Sequence, residues 1–467
     1  MRCPNLKPTL NSCKLETNKT EISYRNTEIM GKRRFFELNF AAGLIISLGI
    51  LVFTADAQLA ANAAQRASDD AQRRIESFEK VWATVNEKHY DPTFGGVDWA
   101  AVRVKYEPLA RAAKTDDELH GVLRRMLSEL KLSHFGIHSG NPEFGSGAGE
   151  VGVELKSLRS GMTVFRVDKG SAAEKAGLKP GMVITSIDGR SSAEILEKLE
   201  SAIAGRDLTD GTRRAYRERL FEASLGGEPG SEVKIGISEP GKAARTVTVV
   251  REEFAGEYSQ PLGNFPAQPM KFESRRLEGN IGYISFNMWV IAQMPKLRAA
   301  MREHADAAGI IIDLRGNPGG VGGMASGLAG MMLKEELSLG SMRSRESVMN
   351  FSVFPQPGAF RGPVAVLIDH GSGSTSEIFA AGLQDASRIT LVGERTAGAV
   401  LPSFFEKLPT GATFQYAVSD YRSPKNVLVE GRGVDPDVKA ELDGESLAKG
   451  IDTQLQRAVE VIQKKGK

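Results

Sequence analysis

The run "VAVLIDHGSGSTSEIFAAGLQD", residues 364–385, spells a strand, a tight turn and a helix without interruption. Val364 to Ile368 form a short apolar stretch suited to a buried strand, and Ile378, Phe379, Gly382 and Leu383 recur at helical spacing. Four hydroxyl side chains, Ser372, Ser374, Thr375 and Ser376, crowd the turn between them. Two readings of those hydroxyls compete. Ser374-Thr375-Ser376-Glu377 fits the S-x-x-E capping box, and hydroxyls are common at helix starts. Alternatively, a serine on a sharp strand-to-helix turn stands above the sheet beside free helix N–H groups, the placement of a nucleophile. The stretch alone leaves both open.

Outward from this run the pattern repeats. "IGYISF" (residues 281–286) reads as a strand, residues 292–307 as a helix, and "GIIIDLRGNPGG" (309–320) as a buried strand ending in a glycine-rich turn. Residues 322–333 read as a helix and "ITLVGE" (389–394) as a strand. Strands alternating with helices predict a sheet covered by helices, with active groups at strand ends and the turns that follow. Residues 256–445 are therefore expected to form an α/β core, followed by a C-terminal helix over 446–467.

Towards the N-terminus, residues 58–144 read as helical. Ile75, Phe78, Val81, Trp82 and Val85 share one helix face. A second helix opens at Thr115, with Glu118 completing a capping box and Leu119, Val122, Leu123, Met126, Leu127 and Leu130 as its packing stripe. Residues 145–255 change character to short strands and Gly-rich turns. A helical insertion over 203–230 and a closing hairpin around Pro240-Gly241 are expected there.

The chain has 467 residues, 60 basic and 58 acidic side chains and 41% apolar residues. That balance predicts several globular domains and no nucleic-acid partner. From Met30, Lys32, Arg33 and Arg34 precede an apolar run over 41–53, and Ala55-Asp56-Ala57 offers an A-x-A cleavage site. Residues 1–57 thus read as an extension plus a signal peptide cleaved after Ala57, with Met30 as the expected start; an uncleaved anchor is the alternative and the only expected tie to a membrane. Both cysteines, Cys3 and Cys13, precede that segment. The exported chain is expected to carry no disulfide, no thiol nucleophile, no metal and no other cofactor.

"GSAAEKAGLKPGMVITSIDG", residues 170–189, resembles the signature of bacterial protease-associated PDZ modules, with Met182 where aspartate is usual. The resemblance implies a carboxylate-binding loop in "EVGVEL", with Val151, Gly152, Val153 and Glu154 receiving a peptide tail by strand addition. Together with "GIIIDLRGNPGG", the S-x-S-x-S-E element and "EGRGVDPDV", this order of motifs resembles the C-terminal processing and tricorn-core serine peptidases over residues 75–440. The resemblance implies a multidomain α/β fold with a helical N-terminal domain, a PDZ-like β-rich module and a crotonase-like core. It implies Ser374 as nucleophile, Thr375 as one oxyanion donor, and Gly319 or Gly320 as the other. The lysine of the Ser–Lys branch is replaced by Ala399 in "TAGAV", and Lys407 lies eight residues out of register, as a surface charge. The tricorn-like branch implies His134 as base, Glu430 orienting it and Ser133 as an auxiliary hydroxyl. Gly431 stands where that pattern has asparagine.

His134 and His138 have the spacing of a zinc pair but lack a catalytic glutamate between them and a third ligand. His370, four residues before Ser374, is a rival base. Asp313 and Arg315 are expected to pair, Asp385 to brace its helix, and Asp435 and Asp437 to serve turns. The expected function is an exported serine endopeptidase acting on proteins or peptides. An inert PDZ-bearing binding protein is the alternative, and a ligand carrier like the retinoid-binding repeats a second; the sequence leaves the oligomeric state open.

Overall fold

A computed structural model describes residues 33–138, 149–203, 208–239 and 241–465. The expected start at Met30, both cysteines and the hairpin tip Pro240 lie outside the described residues. The chain divides into two compact units, residues 1–69 and 70–467. In the first, the described backbone is helical from Arg33, the start of α1 (Arg33–Lys88). No helix among the described residues is long and apolar enough to cross a membrane.

In the second unit, the end of α1 packs with α2 (Trp99–Ala112) and α3 (Asp116–Ser128). The expected caps are made: Asp98 accepts the Ala101 N–H at 2.9 Å, and Thr115 accepts that of Glu118 at 3.2 Å. Phe78, Val81, Val85, Trp99, Leu119 and Leu123 are buried together. The same cluster takes in Ile137, Leu408, Phe414 and Tyr416, so the helices share a core with strands from both ends of the chain. One three-stranded sheet does this, pairing Gly136–His138 with Thr413–Ala417 and that strand with Ser403–Lys407.

The β-rich module is an antiparallel sheet in the order β1 (Val153–Leu158), β2 (Gly161–Val167), β3 (Val183–Ile187), β4 (Glu232–Ser238) and β5 (Arg245–Val250), and β1 ends that order. Between β3 and β4 run α4 (Ser192–Ala202) and α5 (Asp210–Leu225). The expected insertion is thus a helix, and it packs on β1.

The core sheet runs β6 (Phe272–Leu277), β7 (Ile281–Phe286), β8 (Gly309–Asp313), β9 (Val364–Ile368), β10 (Thr390–Gly393) and β11 (Val438–Lys439). Only the β6–β7 pair is antiparallel. Strands β8 and β9 are buried throughout, as near-continuous apolar runs in a covered parallel sheet should be. Helices α6 (Gln293–Glu303), α7 (Gly323–Gly330) and α8 (Thr375–Asp385) follow β7, β8 and β9 in sequence. The C-terminal helix expected over 446–467 is broken in two: a short turn, Gly444–Ala448, and α9 (Thr453–Lys465). Gly450, at a φ of 78°, lies between them, a backbone state that ends a helix.

Candidate active site

Three of the four crowded hydroxyls have structural employment. Ser372 Oγ donates to the Leu314 carbonyl (2.7 Å), Thr375 Oγ1 to that of Gly320 (2.9 Å), and Ser376 Oγ to that of Asn317 (3.0 Å). Trp289 Nε1 in turn donates to Ser376 Oγ at 2.8 Å. These bonds lash the turn before α8 to the turn after β8.

Ser374 is different. It has φ 54° and ψ −117°, a backbone state that costs of order 1–3 kcal/mol and needs its surroundings to hold it. Half of the capping box is made, the Ser374 N–H donating to Glu377 Oε2; the Glu377 N–H goes to the Ser374 carbonyl at 2.8 Å, and the serine hydroxyl makes no cap bond. Glu377 is the strap. Its carboxylate accepts the N–H groups of Ser374 (3.1 Å), Gly398 (2.7 Å) and Ala399 (2.9 Å), and the Thr396 hydroxyl (2.5 Å). Burial pushes this carboxyl up to about 7, against the pull of those donors. Sequence reasoning took Glu377 for a cap; its S-x-x-E spacing was the available signal.

Gly319 sits against the serine and Gly320 against Trp289, at φ 103° and 141°. A Cβ on Gly319 would stand 2.5 Å from that of Ser374, and one on Gly320 2.2 Å from the Trp289 carbonyl oxygen, so only glycine fits either place. The two are not equivalent as donors. The Gly319 N–H is already given to Asn317 Oδ1 at 3.0 Å. The N–H groups of Gly320 and Thr375 find no acceptor among the described residues.

The remaining residues arrive from far away in sequence. The Ser133 N–H donates to Glu430 Oε1 (2.7 Å) and its hydroxyl to Oε2 (2.9 Å), while the Val400 N–H also donates to Oε2 (2.9 Å). Ser133 Oγ lies 2.6 Å from His134 Nδ1. Glu430 therefore reaches the imidazole through Ser133, a correction to the expectation that it orients the ring itself. With the carboxylate ionised, the Ser133 hydroxyl must donate to it, so its oxygen accepts from Nδ1–H and leaves Nε2 with a lone pair. His134 is half-buried by its surface but surrounded by protein, and that burial pushes the imidazole down to about 4. Burial pushes the Glu430 carboxyl up, opposed by the donors from Val400 and Ser133.

His134, Ser374, Thr375, Gly319 and Gly320 line one cleft of about 1260 Å³, with Leu262, Phe265, Phe351, Leu401 and Phe404 among its apolar walls. No hydrogen bond joins His134 to Ser374 in this structure; such bonds are often loose before substrate binds. Ala399 does stand beside the serine, its carbonyl accepting the Ser374 N–H at 2.7 Å. Lys407 is exposed and bonded to Thr413 Oγ1 (2.7 Å), and His138 Nε2 to Gln415 Oε1 (3.1 Å). The rival base His370 is buried with its Nε2 2.8 Å from Glu218 Oε1.

Val151 and Gly152 line a second, polar groove between β1, α5 and the core, with Val153 and Glu154 at the start of β1. Their own carbonyls accept the N–H groups of Ala173 and Asp168 (2.9 Å each), and their N–H groups find no acceptor among the described residues. Glu154 is drawn into ion pairs with Arg166 (3.2 Å) and Lys156 (3.5 Å). Lys156, which nothing in the sequence pointed to, is buried and donates to Asp369 Oδ2 at 2.6 Å. Burial opposes its charge, but Asp369 beside it wins and holds the ammonium well above its usual range. Asp313 and Arg315 pair as expected (2.6 Å), and Asp385 accepts from Ser423 (2.6 Å).

Residues 280–440 match the model of Peptidase family S41, residues 70–128 that of the Tricorn protease C1 domain, and residues 143–207 that of the PDZ domain. A carboxyl-terminal-processing protease of Synechocystis is 26% identical over 456 residues, covering 93% of this chain and 95% of its own. The carboxy-terminal processing protease CtpA of Bacillus subtilis is 24% identical, covering 62% of this chain and 56% of its own. Among solved structures, the photosystem II D1 C-terminal processing protease superposes with a TM-score of 0.52 at 21% identity, over 84% of this chain and 97% of that one. Mature CPAF does so at 0.58 and 15%, over 84% and 97%. The chain is a serine-type peptidase with a PDZ domain. Its core, residues 280–440, matches peptidase family S41, and the chain as a whole is similar to carboxyl-terminal processing proteases.

Proposed function

We propose that this chain is an exported serine endopeptidase that acylates on Ser374, with His134 as its base. The observation that carries this is the line Glu430–Ser133–His134 ending in the cleft that holds Ser374. His134 Nε2 takes the Ser374 hydroxyl proton as Oγ attacks the peptide carbonyl carbon. The N–H groups of Thr375 and Gly320 receive the oxyanion. The imidazolium returns its proton to the leaving amine, and water, activated by the same nitrogen, then hydrolyses the ester. Ser133 and Glu430 hold the imidazole tautomer and stabilise its charge. The apolar cleft walls suit extended, unfolded segments, and the PDZ loop at Val151–Gly152 suits a C-terminal carboxylate. Relatives named for carboxyl-terminal processing support cleavage near chain ends. The basic, apolar and A-x-A elements of residues 30–57 support export.

The rival reading, an inert PDZ-bearing binder, rests on Ala399 in the lysine place. A fluorophosphonate probe separates the two. Labelling of Ser374 that is lost in Ser374→Ala, and falls by about 10²–10⁴ in His134→Ala, is the expected result. Undiminished labelling in His134→Ala would remove the histidine from the mechanism, and an unlabelled wild type, even with an apolar-tailed peptide added, would favour the binder.

A further inference from the structure

The free edge of a PDZ sheet is where an extended tail adds as a strand. Here that edge is occupied by the chain itself. β1 ends its sheet order, so its outward N–H groups have no ladder partner, yet two are taken by side chains. The Leu155 N–H donates to Glu222 Oε1 (3.2 Å) and the Ser157 N–H to Glu218 Oε1 (2.7 Å). The spacing explains the fit. Four residues of helix rise about 6 Å and two residues of strand about 6.6 Å, so carboxylates one turn apart on α5 imitate successive carbonyls of an added strand. The helix that does this lies beyond residues 143–207, the part of the chain that matches the PDZ model.

One of the two glutamates has a second partner. The oxygen of Glu218 that accepts from Ser157 is the one 2.8 Å from His370 Nε2, and His370 stands four residues before Ser374. Neighbouring contacts run the same way: Lys156 of β1 holds Asp369, whose Oδ1 accepts the N–H groups of Gly316 (2.8 Å) and Gly371 (2.9 Å). Arg214 of α5 reaches Glu394 at the end of β10 (2.5 Å). An arriving strand must take the Ser157 N–H, and in doing so displaces the carboxylate that His370 leans on.

We propose that α5 is a built-in occupant of the PDZ strand edge, and that Glu218 is a positioning residue tying that edge to the nucleophile turn through one shared carboxylate oxygen. The ligand it excludes is an extended peptide with an apolar C-terminal residue and a free carboxylate. This rests on reading the PDZ module as a tail binder, and the test separates the two.

Full-length wild type, Glu218→Ala and the double variant Glu218→Ala/Glu222→Ala are titrated with a fluorescein-labelled decapeptide ending in free valine, its C-terminal amide serving as control. Opening the edge is expected to tighten binding of the free acid by about tenfold or more in the double variant; equal affinities would overturn the occupancy, and no binding by any form would overturn the tail-binder reading with it. The second readout is the rate at which fluorophosphonate labels Ser374, with and without saturating peptide. In wild type the peptide should change that rate about fivefold or more, the range of ordinary coupling between sites, and in Glu218→Ala less than about twofold. An equal response in both would overturn the coupling. If Glu218→Ala melts early, Glu218→Met, which fills similar space but has no oxygen to accept from Ser157 or His370, takes its place, with the same outcomes expected. The anisotropy arm does not depend on Ser374, so an unlabelled wild type would count against the serine mechanism and leave the measurement on α5 intact.

Discussion

Ser374 and His134 both adopt positive φ, 54° and 58°, yet they are held there by different means. Ser374 is held mostly by backbone. Its N–H and carbonyl are tied to Ala399 and to the start of α8, and one buried carboxylate three residues on, Glu377, gathers the rest. His134 is held by side chains, Ser133 beside it and, through Ser133, Glu430 almost three hundred positions later. The turn carrying the proposed nucleophile is thus a local object that the sheet presents, whereas the proposed base is set in place only once segments nearly three hundred residues apart have closed on each other. Strain of this kind collects at functional positions because the surroundings over-determine it.

Removing the base side chain should have the largest effect. Besides the labelling loss, wild type kcat/KM should keep its acid limb low. Burial disfavours the imidazolium, so the neutral, proton-accepting ring persists as pH falls until about 4, where an ordinary histidine would be lost near 6.5. A pH profile with its acid limb at about 6.5 would mean that the cleft is solvated when substrate binds, or that another group is the base.

Ser133→Ala comes next. It leaves His134 and Glu430 in place but cuts the link, so kcat should drop by about 10², the cost of a small misplacement, with KM little changed. A raised KM with unaltered kcat would make Ser133 a substrate contact instead. Glu377→Gln should be felt least in the chemistry and more in stability. An amide cannot accept as well as the carboxylate from four donors, so unfolding in urea should show a loss of about 1–3 kcal/mol. If that variant instead lost activity without losing stability, the contrast between a backbone-held nucleophile and a side-chain-held base would fail.

Much of this was legible beforehand. The strand–turn–helix around Ser374 announced itself because its apolar spacing changes from a continuous strand run to helical repeats within a few residues. The glycines at 319 and 320 were read as oxyanion donors; the structure shows in addition that they are packed against Ser374 and Trp289 respectively. Their difference as donors was not legible, since only the fold shows that Asn317 takes the Gly319 N–H. The roles of Lys156 and Glu218 were hidden for a related reason. A lysine on a strand and a glutamate on a polar helix look like surface charges until a partner from another element removes them from water.

By itself, then, the sequence determined the elements, the turn that raises Ser374 and the motifs that make this chain similar to carboxyl-terminal processing peptidases. Local interactions suffice for these, because hydrophobic period, helix caps and glycine conformations act over a few residues. Only the tertiary structure decided which N–H groups remain free, how Glu430 reaches His134, and that α5 lies along the PDZ edge. Those depend on which donors and acceptors meet across hundreds of residues, and each buried donor can be satisfied only once.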